Sequence, residues 1–157
     1  MKRRRPAPRA HGPGKKRAAA ASTSRFRVRH SCPPELYDPK AFSHVVEVQG
    51  GRLIFISGQV PADAQRRLSS RDLREQIGKV YANLEIALNS VGAGFENIVK
   101  TTNYLTSPAQ MGIFREVREQ RFAKLKSRPA STTVIVAGLA DPEYLLEIEV
   151  IAAVPAR

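Results

Sequence analysis

The chain has 157 residues, of which 42% are hydrophobic, so it can form one ordinary domain with a core but hardly a second one. Only 6% are aromatic and none is Trp, which argues against a stacking surface for single-stranded nucleic acid. The formal net charge is +12, but residues 1–29 contain 11 of the 26 Lys and Arg residues and none of the 14 acidic ones. The remainder, with 15 basic and 14 acidic residues, is nearly neutral. This near-neutral charge offers little support for nucleic-acid binding by the body of the protein.

The cysteine content and the hydropathy indicate the cellular compartment in which the protein is expected. Cys32 is the single cysteine, so an intrachain disulfide is excluded and a reducing environment fits. No apolar run approaches the roughly 18 residues that a membrane span needs. We therefore expect a cytoplasmic protein without membrane contact.

Composition divides the chain into three parts. Residues 1–30 are rich in Arg, Lys, Pro and Ala without a hydrophobic period, and are predicted to be a disordered basic tail. Residues 31–42 are predicted to be an extended, Pro-rich lead-in, and residues 43–155 to be the folded domain. The tail has three interpretations: an arm for nucleic acid or an acidic partner, an organelle presequence, or a segment without specific function.

The apolar periodicity of the body predicts alternating strands and helices. Residues 44–48 and 53–57 are predicted to be strands joined by a tight turn at Gly50 and Gly51. Apolar residues at spacings of three and four predict a helix over 72–91, and Ser107 with Pro108 predicts the start of a second helix that runs to about residue 126. The other strands are predicted at 97–106, 132–139 and 145–154.

This element order predicts an α+β fold with a single mixed β-sheet and two helices packed on one face. Residues 53–56 and 134–137 are nearly unbroken apolar runs, which are typical of strands buried on both faces. Two helices cover only one face, and a bare apolar face is unusual on a soluble monomer. The sequence therefore predicts a homo-oligomer.

Three segments resemble the RidA/YjgF family, which is also called the endoribonuclease L-PSP family. They are LIFISGQVP at 53–61, IVKTTNYL at 98–105 and PASTTVIVAGLADPEYLLEIEVIAA at 129–153, and the match covers about residues 43–154. The resemblance implies a chorismate-mutase-like fold. It also implies a homotrimeric barrel that binds small-molecule ligands in clefts between subunits.

The resemblance further implies hydrolysis of enamine and imine intermediates such as 2-aminoacrylate, which gives a keto acid and ammonia without a metal or cofactor. In active deaminases of this family an Arg follows the Pro-Ala of the third segment and clamps the substrate carboxylate. Here Ser131 stands at that position, so ordinary 2-aminoacrylate activity is doubtful. Arg128 lies three positions earlier, outside the register of the motif.

The resemblance also implies the other site residues. Glu147 matches the acid near the attacking water and His44 stands where a Tyr is common, so both are catalytic candidates. Ser57 and Gly58 match the Ser-Gly-Gln motif, and Arg115 falls near a polar position that faces the neighbouring cleft. Each also has a simpler interpretation, with Glu147 as a solvated strand residue and His44 as an ordinary polar one. No Gly-x-Ser-x-Gly elbow supports a serine nucleophile.

Three functions remain open at this point. The first is a hydrolytic deaminase of altered specificity that acts on a small imine or carbonyl compound. The second is a non-catalytic ligand-binding or chaperone-like trimer. The third, RNA binding or cleavage, depends on the tail. The three histidines show no metal-ligand spacing, so no metal site is predicted.

Overall fold

The computed structural model describes residues 25–156, which form six strands, two α-helices and two short 3-10 turns. The strands and α-helices, in chain order, are β1 (Arg27–Ser31), β2 (Val45–Gln49), β3 (Arg52–Gln59), α1 (Leu73–Ser90), β4 (Ile98–Leu105), α2 (Met111–Phe122), β5 (Ala130–Ile135) and β6 (Leu146–Val154). Every helix and strand predicted in the body is present, so the α+β class is confirmed.

The main sheet is mixed and has four strands in the order β3-β6-β4-β5. The β4 and β5 strands are parallel, whereas β6 is antiparallel to both β3 and β4. Thr101 on β4 lies opposite Val150 on β6 and Ser131 on β5. Because side chains opposite each other in a ladder share a face, these three point to the same side of the sheet. That side is the core side, where Val150 packs with the helices.

Helix α1 closes the core and begins where the sequence predicts. The carboxylate of Asp72 accepts a hydrogen bond of 3.0 Å from the backbone N–H of Glu75, which caps the first turn. The middle of its apolar stripe is fully buried, at Ile77, Val80, Leu84 and Leu88. After Ser90 the chain turns at Gly92, whose φ of 72° favours glycine.

Helix α2 is shorter than predicted at both ends. The Ser107–Pro108 signal begins a 3-10 turn (Pro108–Gln110), and the α-helix proper covers Met111–Phe122. Phe114 and Phe122 are buried as the spacing predicts. Arg118 lies midway between them on the same stripe and is also buried.

The first two strands differ from the prediction. Strand β2 does not pair with β3 but forms a separate two-stranded sheet with β1, so the prediction of a single sheet is wrong. Gly50 and Gly51 both have positive φ, 68° and 74°, at the turn that leads from β2 into β3. Strand β1 includes residues 27–30, so the predicted disorder is wrong for that stretch; residues 1–24 lie outside the described residues.

The face of the main sheet opposite the helices is uncovered in the single chain. Leu53 and Phe55 on β3 are 53% and 73% exposed, and Val134 on β5 is 40% exposed. Ile54 and Ile56, which alternate with them, pack against the core. The two apolar faces of β3 predicted from its sequence are therefore real, but only one of them is covered within the chain.

Candidate functional site

Ser57 and Gly58 lie at a bulge in β3 beside Glu147 of β6. The register of the β3–β6 ladder shifts between Ile56 and Gln59, so Ser57 and Gly58 are the residues left unpaired. The carboxylate of Glu147 fills the space beside Gly58, where a Cβ atom would overlap its Oε1 atom. Glycine is therefore required at position 58 to leave room for the acid.

The carboxylate of Glu147 is half-buried on the uncovered face. Burial raises its pKa above the ordinary value, and the nearby Glu149 carboxylate raises it further. Glu147 lies opposite Tyr104 in the β4–β6 ladder. Together they border an open cavity of about 440 Å³, whose remaining wall is the loop after β5. An acid with a raised pKa beside an open cavity is suited to proton transfer to or from a ligand.

Three of the predicted site residues therefore come together within one chain. They are Ser57, Gly58 and Glu147. Ser57 is exposed and borders a neighbouring depression of about 210 Å³ with Lys100 and Glu149.

His44 lies elsewhere in the protomer. Its Nε2 atom is 2.8 Å from the carbonyl oxygen of Tyr37, and its ring makes edge contacts with the rings of Tyr37 and Phe42 at centroid distances of 5.1 and 5.5 Å. All three contacts are with the segment that precedes β2. His44 is not among the residues that border the cavity beside Glu147.

Ser131 points to the opposite side of the sheet from Glu147. Its row in the ladders contains Thr101 and Val150, whereas Glu147 is in the row of Tyr104 and Val134. The hydroxyl of Ser131 lies 3.0 Å from Oγ1 of Thr101. It thus faces the helices rather than the open cavity.

Neither of the two arginines considered from sequence reaches Ser131. Arg115 is exposed on α2. Arg128 donates a hydrogen bond of 3.0 Å to the carbonyl of Leu125, and its own carbonyl accepts one of 2.7 Å from the hydroxyl of Ser43. Arg128 is therefore part of the connection between α2 and β5.

Arg118, which the sequence analysis overlooked, does reach Ser131. Its Nη1 atom lies 3.5 Å from the Ser131 hydroxyl, and its guanidinium lies over the ring of Phe114 with 5.6 Å to the centroid. The signal was present in the sequence. Arg118 is four residues from both Phe114 and Phe122, on a stripe whose spacing predicts burial.

Within residues 25–156, no group of three or more His, Cys, Asp or Glu side chains is arranged to hold a metal ion. No helix of this part of the chain is long and apolar enough to span a membrane.

Comparison with known proteins gives consistent matches over the whole domain. The sequence pattern of the family described as Endoribonuclease L-PSP matches residues 35–154. A RutC family protein of Aquifex aeolicus is 33% identical over 124 residues, which cover 75% of this chain and 97% of that protein. The RutC family protein YjgH of Escherichia coli is 30% identical over 81% of this chain and 90% of its own.

Solved structures agree with these matches. YyfB of Yersinia pestis, a Rid family protein of unknown function, has a TM-score of 0.75 and 32% identity over 81% of this chain and 98% of its own. Rv2704 of Mycobacterium tuberculosis, described as a member of the YjgF/YER057c/UK114 family, has a TM-score of 0.58 and 28% identity over 82% of this chain and 100% of its own.

Proposed function

Because this chain belongs to the RidA/YjgF family, also named endoribonuclease L-PSP and RutC, we propose that it binds a small imine or carbonyl compound. The binding site is a cleft between the subunits of a homotrimer, and the bound imine is hydrolysed there with Glu147 as the proton-transfer group. The observation that carries the proposal is the pairing of Glu147 with Gly58 beside an open cavity. Members of the family are often imine deaminases.

The reaction needs one group that both accepts and donates a proton. Water adds its oxygen to the imine carbon, and Glu147 takes the proton that this water loses and returns it to the imine nitrogen, which gives a carbinolamine. Glu147 then takes the proton of the carbinolamine hydroxyl and passes it to the amine as the carbon–nitrogen bond breaks. One imine and one water thus give one carbonyl compound and one ammonia. The raised pKa of Glu147 supports this role, because a carboxyl group with a raised pKa exchanges its proton closer to neutral pH than a solvated Glu does.

The exposed apolar face supports the trimer. Leu53 and Phe55 would be unusually exposed for large side chains of a soluble monomer. Burial of this face against other copies of the chain would remove it from water and would bring elements of different subunits to the cavity near Glu147. His44, whose hydrogen bond and ring contacts are with Tyr37 and Phe42 in its own protomer, would then contribute to the site of a neighbouring subunit.

Ser131 affects which substrate the site can hold rather than how the imine is hydrolysed. A neutral hydroxyl cannot hold a carboxylate as two parallel guanidinium hydrogen bonds do. We therefore expect hydrolysis of 2-aminoacrylate to be slow compared with that of other imines.

The test is a kinetic comparison on imines generated in the assay. A pyridoxal-phosphate dehydratase acting on serine supplies 2-aminoacrylate, and a panel of imines without a carboxylate is prepared from simple aldehydes and ammonia. Release of the carbonyl product is followed with and without the protein. Glu75→Gln is the matched control, because Glu75 is exposed in the first turn of α1 and the variant loses the same charge.

We expect wild type and Glu75→Gln to accelerate hydrolysis of at least one imine, and Glu147→Gln to reduce the acceleration by about 100-fold or more. Specific binding of carbonyl compounds without any acceleration would instead identify the protein as a non-catalytic ligand-binding trimer. Equal rates for Glu147→Gln and wild type would exclude Glu147 as the proton-transfer group.

A further inference from the structure

The two middle strands of the main sheet present a polar strip on the face opposite the helices, which we define as Lys100, Thr102 and Glu149. Thr102 on β4 lies opposite Glu149 on β6, and Lys100, two residues earlier on β4, points to the same side. The exposed apolar residues of this face lie instead on the outer strands, Phe55 on β3 and Val134 on β5. Contact between copies through the outer strands would therefore cover the apolar residues and leave the polar strip open to solvent.

The polar strip contains a small depression that is separate from the cavity beside Glu147. The depression has a volume of about 210 Å³ and is lined by Lys100 and Glu149, with Phe55 and Ile151 as its apolar wall. It shares no lining residue with the cavity beside Glu147. Sites for drug-sized ligands begin at roughly 300 Å³, so this depression suits a smaller molecule with a short apolar part.

The amine of Lys100 is held by neutral acceptors rather than by an ion pair. Its Nζ atom donates a hydrogen bond of 2.6 Å to Oγ1 of Thr132 and one of 2.9 Å to the carbonyl oxygen of Thr101. Within residues 25–156 no carboxylate lies at ion-pair distance from it. Burial lowers the pKa of Lys100 below the ordinary value, and the Glu149 carboxylate opposes part of this shift. More of this amine is therefore neutral than of a solvated lysine, and only the neutral amine is a nucleophile.

Glu149 can supply the proton transfers that a reaction of this amine needs. It is a diagonal neighbour of Lys100 across the β4–β6 ladder, a separation that long side chains can bridge, and both border the depression. Addition of an amine to a carbonyl group moves one proton from nitrogen to oxygen, and the subsequent loss of water moves a second. A carboxylate beside the amine can carry both protons.

We propose that Lys100 binds small uncharged aldehydes covalently, as a Schiff base, in this depression. The neutral amine forms a bond from its nitrogen to the aldehyde carbon, and Glu149 moves one proton from the nitrogen to the carbonyl oxygen, which gives a carbinolamine. Glu149 then moves the second proton of the nitrogen to the hydroxyl, which leaves as water while the carbon–nitrogen double bond forms. One amine and one aldehyde thus give one imine and one water, without an oxidant or a reductant. The carboxylates of Glu147 and Glu149 on the same face disfavour an anionic aldehyde.

The experiment is reductive trapping of butanal on the full chain at neutral pH. Cyanoborohydride adds a hydride to the imine carbon and converts the Schiff base to a stable secondary amine, and peptide mapping by mass spectrometry follows the modified fraction of each lysine with time. Lys126 is the internal reference, because it is exposed. We expect Lys100 to be modified at least about tenfold faster than Lys126. Modification of Lys100 at the same rate as Lys126, or more slowly, would overturn the inference.

A pair of variants tests the role of Glu149. Glu149→Gln should slow trapping at Lys100 by about tenfold or more and leave the rate at Lys126 unchanged. If Glu149 acted through its charge alone, its loss would leave more of the amine neutral and trapping would become faster, so a faster or unchanged rate would contradict the proposed proton transfer. Glu75→Gln, which removes an exposed carboxylate on α1, is the matched control and should be trapped like wild type.

Glyoxylate, an aldehyde with a carboxylate, tests the choice of ligand. We expect the ratio of butanal to glyoxylate modification to be at least about tenfold higher at Lys100 than at Lys126, whereas equal ratios would contradict a preference for uncharged aldehydes. The outcome is independent of the proposed imine hydrolysis. Rapid trapping at Lys100 in a protein that accelerates no imine hydrolysis would support the Schiff base and refute the proposed function. Hydrolysis that depends on Glu147, with Lys100 trapped no faster than Lys126, would do the reverse.

Discussion

The contact between Gly58 and Glu147 permits the sharpest perturbation of the site. In Gly58→Ala the added Cβ atom would overlap Oε1 of Glu147 and would lie 2.5 Å from its Cδ and 2.8 Å from its Cγ. Contacts below 3.0 Å are essentially not seen for real Cβ atoms, so the carboxylate has to move by roughly 1 Å or more. A displacement of that size at a reacting group costs on the order of 100-fold in rate.

The stability of this variant should change much less than its activity. Glu147 is only half-buried and can rotate towards the cavity, so we expect the free energy of unfolding to fall by about 1 kcal/mol, the low end for an overpacked site. Gly78→Ala is the matched control, since nothing lies within 4 Å of its added Cβ atom in the middle of α1. It should raise the free energy of unfolding by about 0.5–1 kcal/mol and leave the rate unchanged.

The assay combines imine hydrolysis with denaturant unfolding of wild type and both variants. A Gly58→Ala protein that is folded, assembled like wild type and fully active would refute the placement of the reaction at Glu147. A rate lost equally in Gly78→Ala would show that the effect is not specific to the contact.

Four further perturbations test individual parts of the structure. Phe55→Asp puts a charge on the exposed apolar face and should convert the proposed trimer to monomers in light scattering; an unchanged mass would show that this face is not the interface. Gln76→Leu removes side-chain hydrogen bonds to the carbonyls of Ser70 and Glu143 and from the backbone N–H of Leu145, and should lower the free energy of unfolding by about 2–4 kcal/mol. A loss below the scatter of repeated denaturant melts would contradict the assigned contacts. Asp72→Ala removes the α1 cap and should cost about 1 kcal/mol, and an unchanged melt would contradict the capping assignment. Because the pKa of Glu147 is raised, the folded state binds this proton more tightly than the unfolded state does. The stabilisation that protonated Glu147 contributes is therefore complete below the ordinary Glu pKa, and it is lost as the pH rises through the raised pKa. Glu147→Gln should therefore gain stability relative to wild type over that window, and a difference independent of pH would contradict the raised pKa.

Periodicity was sufficient to predict the elements whose burial dominates their stability. The apolar stripe of α1 predicted a helix over 72–91 and the structure has Leu73–Ser90, while β4 differs from its prediction by one residue at each end. These segments bury one regular face, and that face is visible in the order of the residues. The end of α2 was predicted four residues too late because Leu125 continues the apolar spacing beyond the last helical turn.

Strand β1 could not be predicted in the same way. Its sequence, Arg-Val-Arg-His-Ser, has one apolar residue among polar and charged ones and continues the basic composition of the tail. Its stability comes from backbone pairing with β2, in which Val28 lies opposite Val48 and His30 opposite Val46. Pairing of that kind depends on a partner some 20 positions away and leaves little trace in local composition.

The residues of the candidate site could likewise be predicted only in part from the sequence. Ser57, Gly58 and Glu147 were named from a resemblance, and the structure brings them together. Arg118 could not be predicted as easily, because the apolar stripe around it predicts a hydrophobic residue at a buried position and the structure has a cation there. His44 does not border the cavity beside Glu147 in the single chain, so its role in the site stays a prediction.

The placement of the reaction between subunits can be tested by mixing two inactive variants. His44→Ala and Glu147→Gln are each purified, then unfolded and refolded together at equal amounts, and imine hydrolysis is measured. If each site takes His44 from one subunit and Glu147 from another, random mixing restores both residues in about a quarter of the sites, with a corresponding fraction of wild-type activity. Activity that remains at the level of the separate variants at every mixing ratio, although mixed trimers form, would contradict a site shared between subunits.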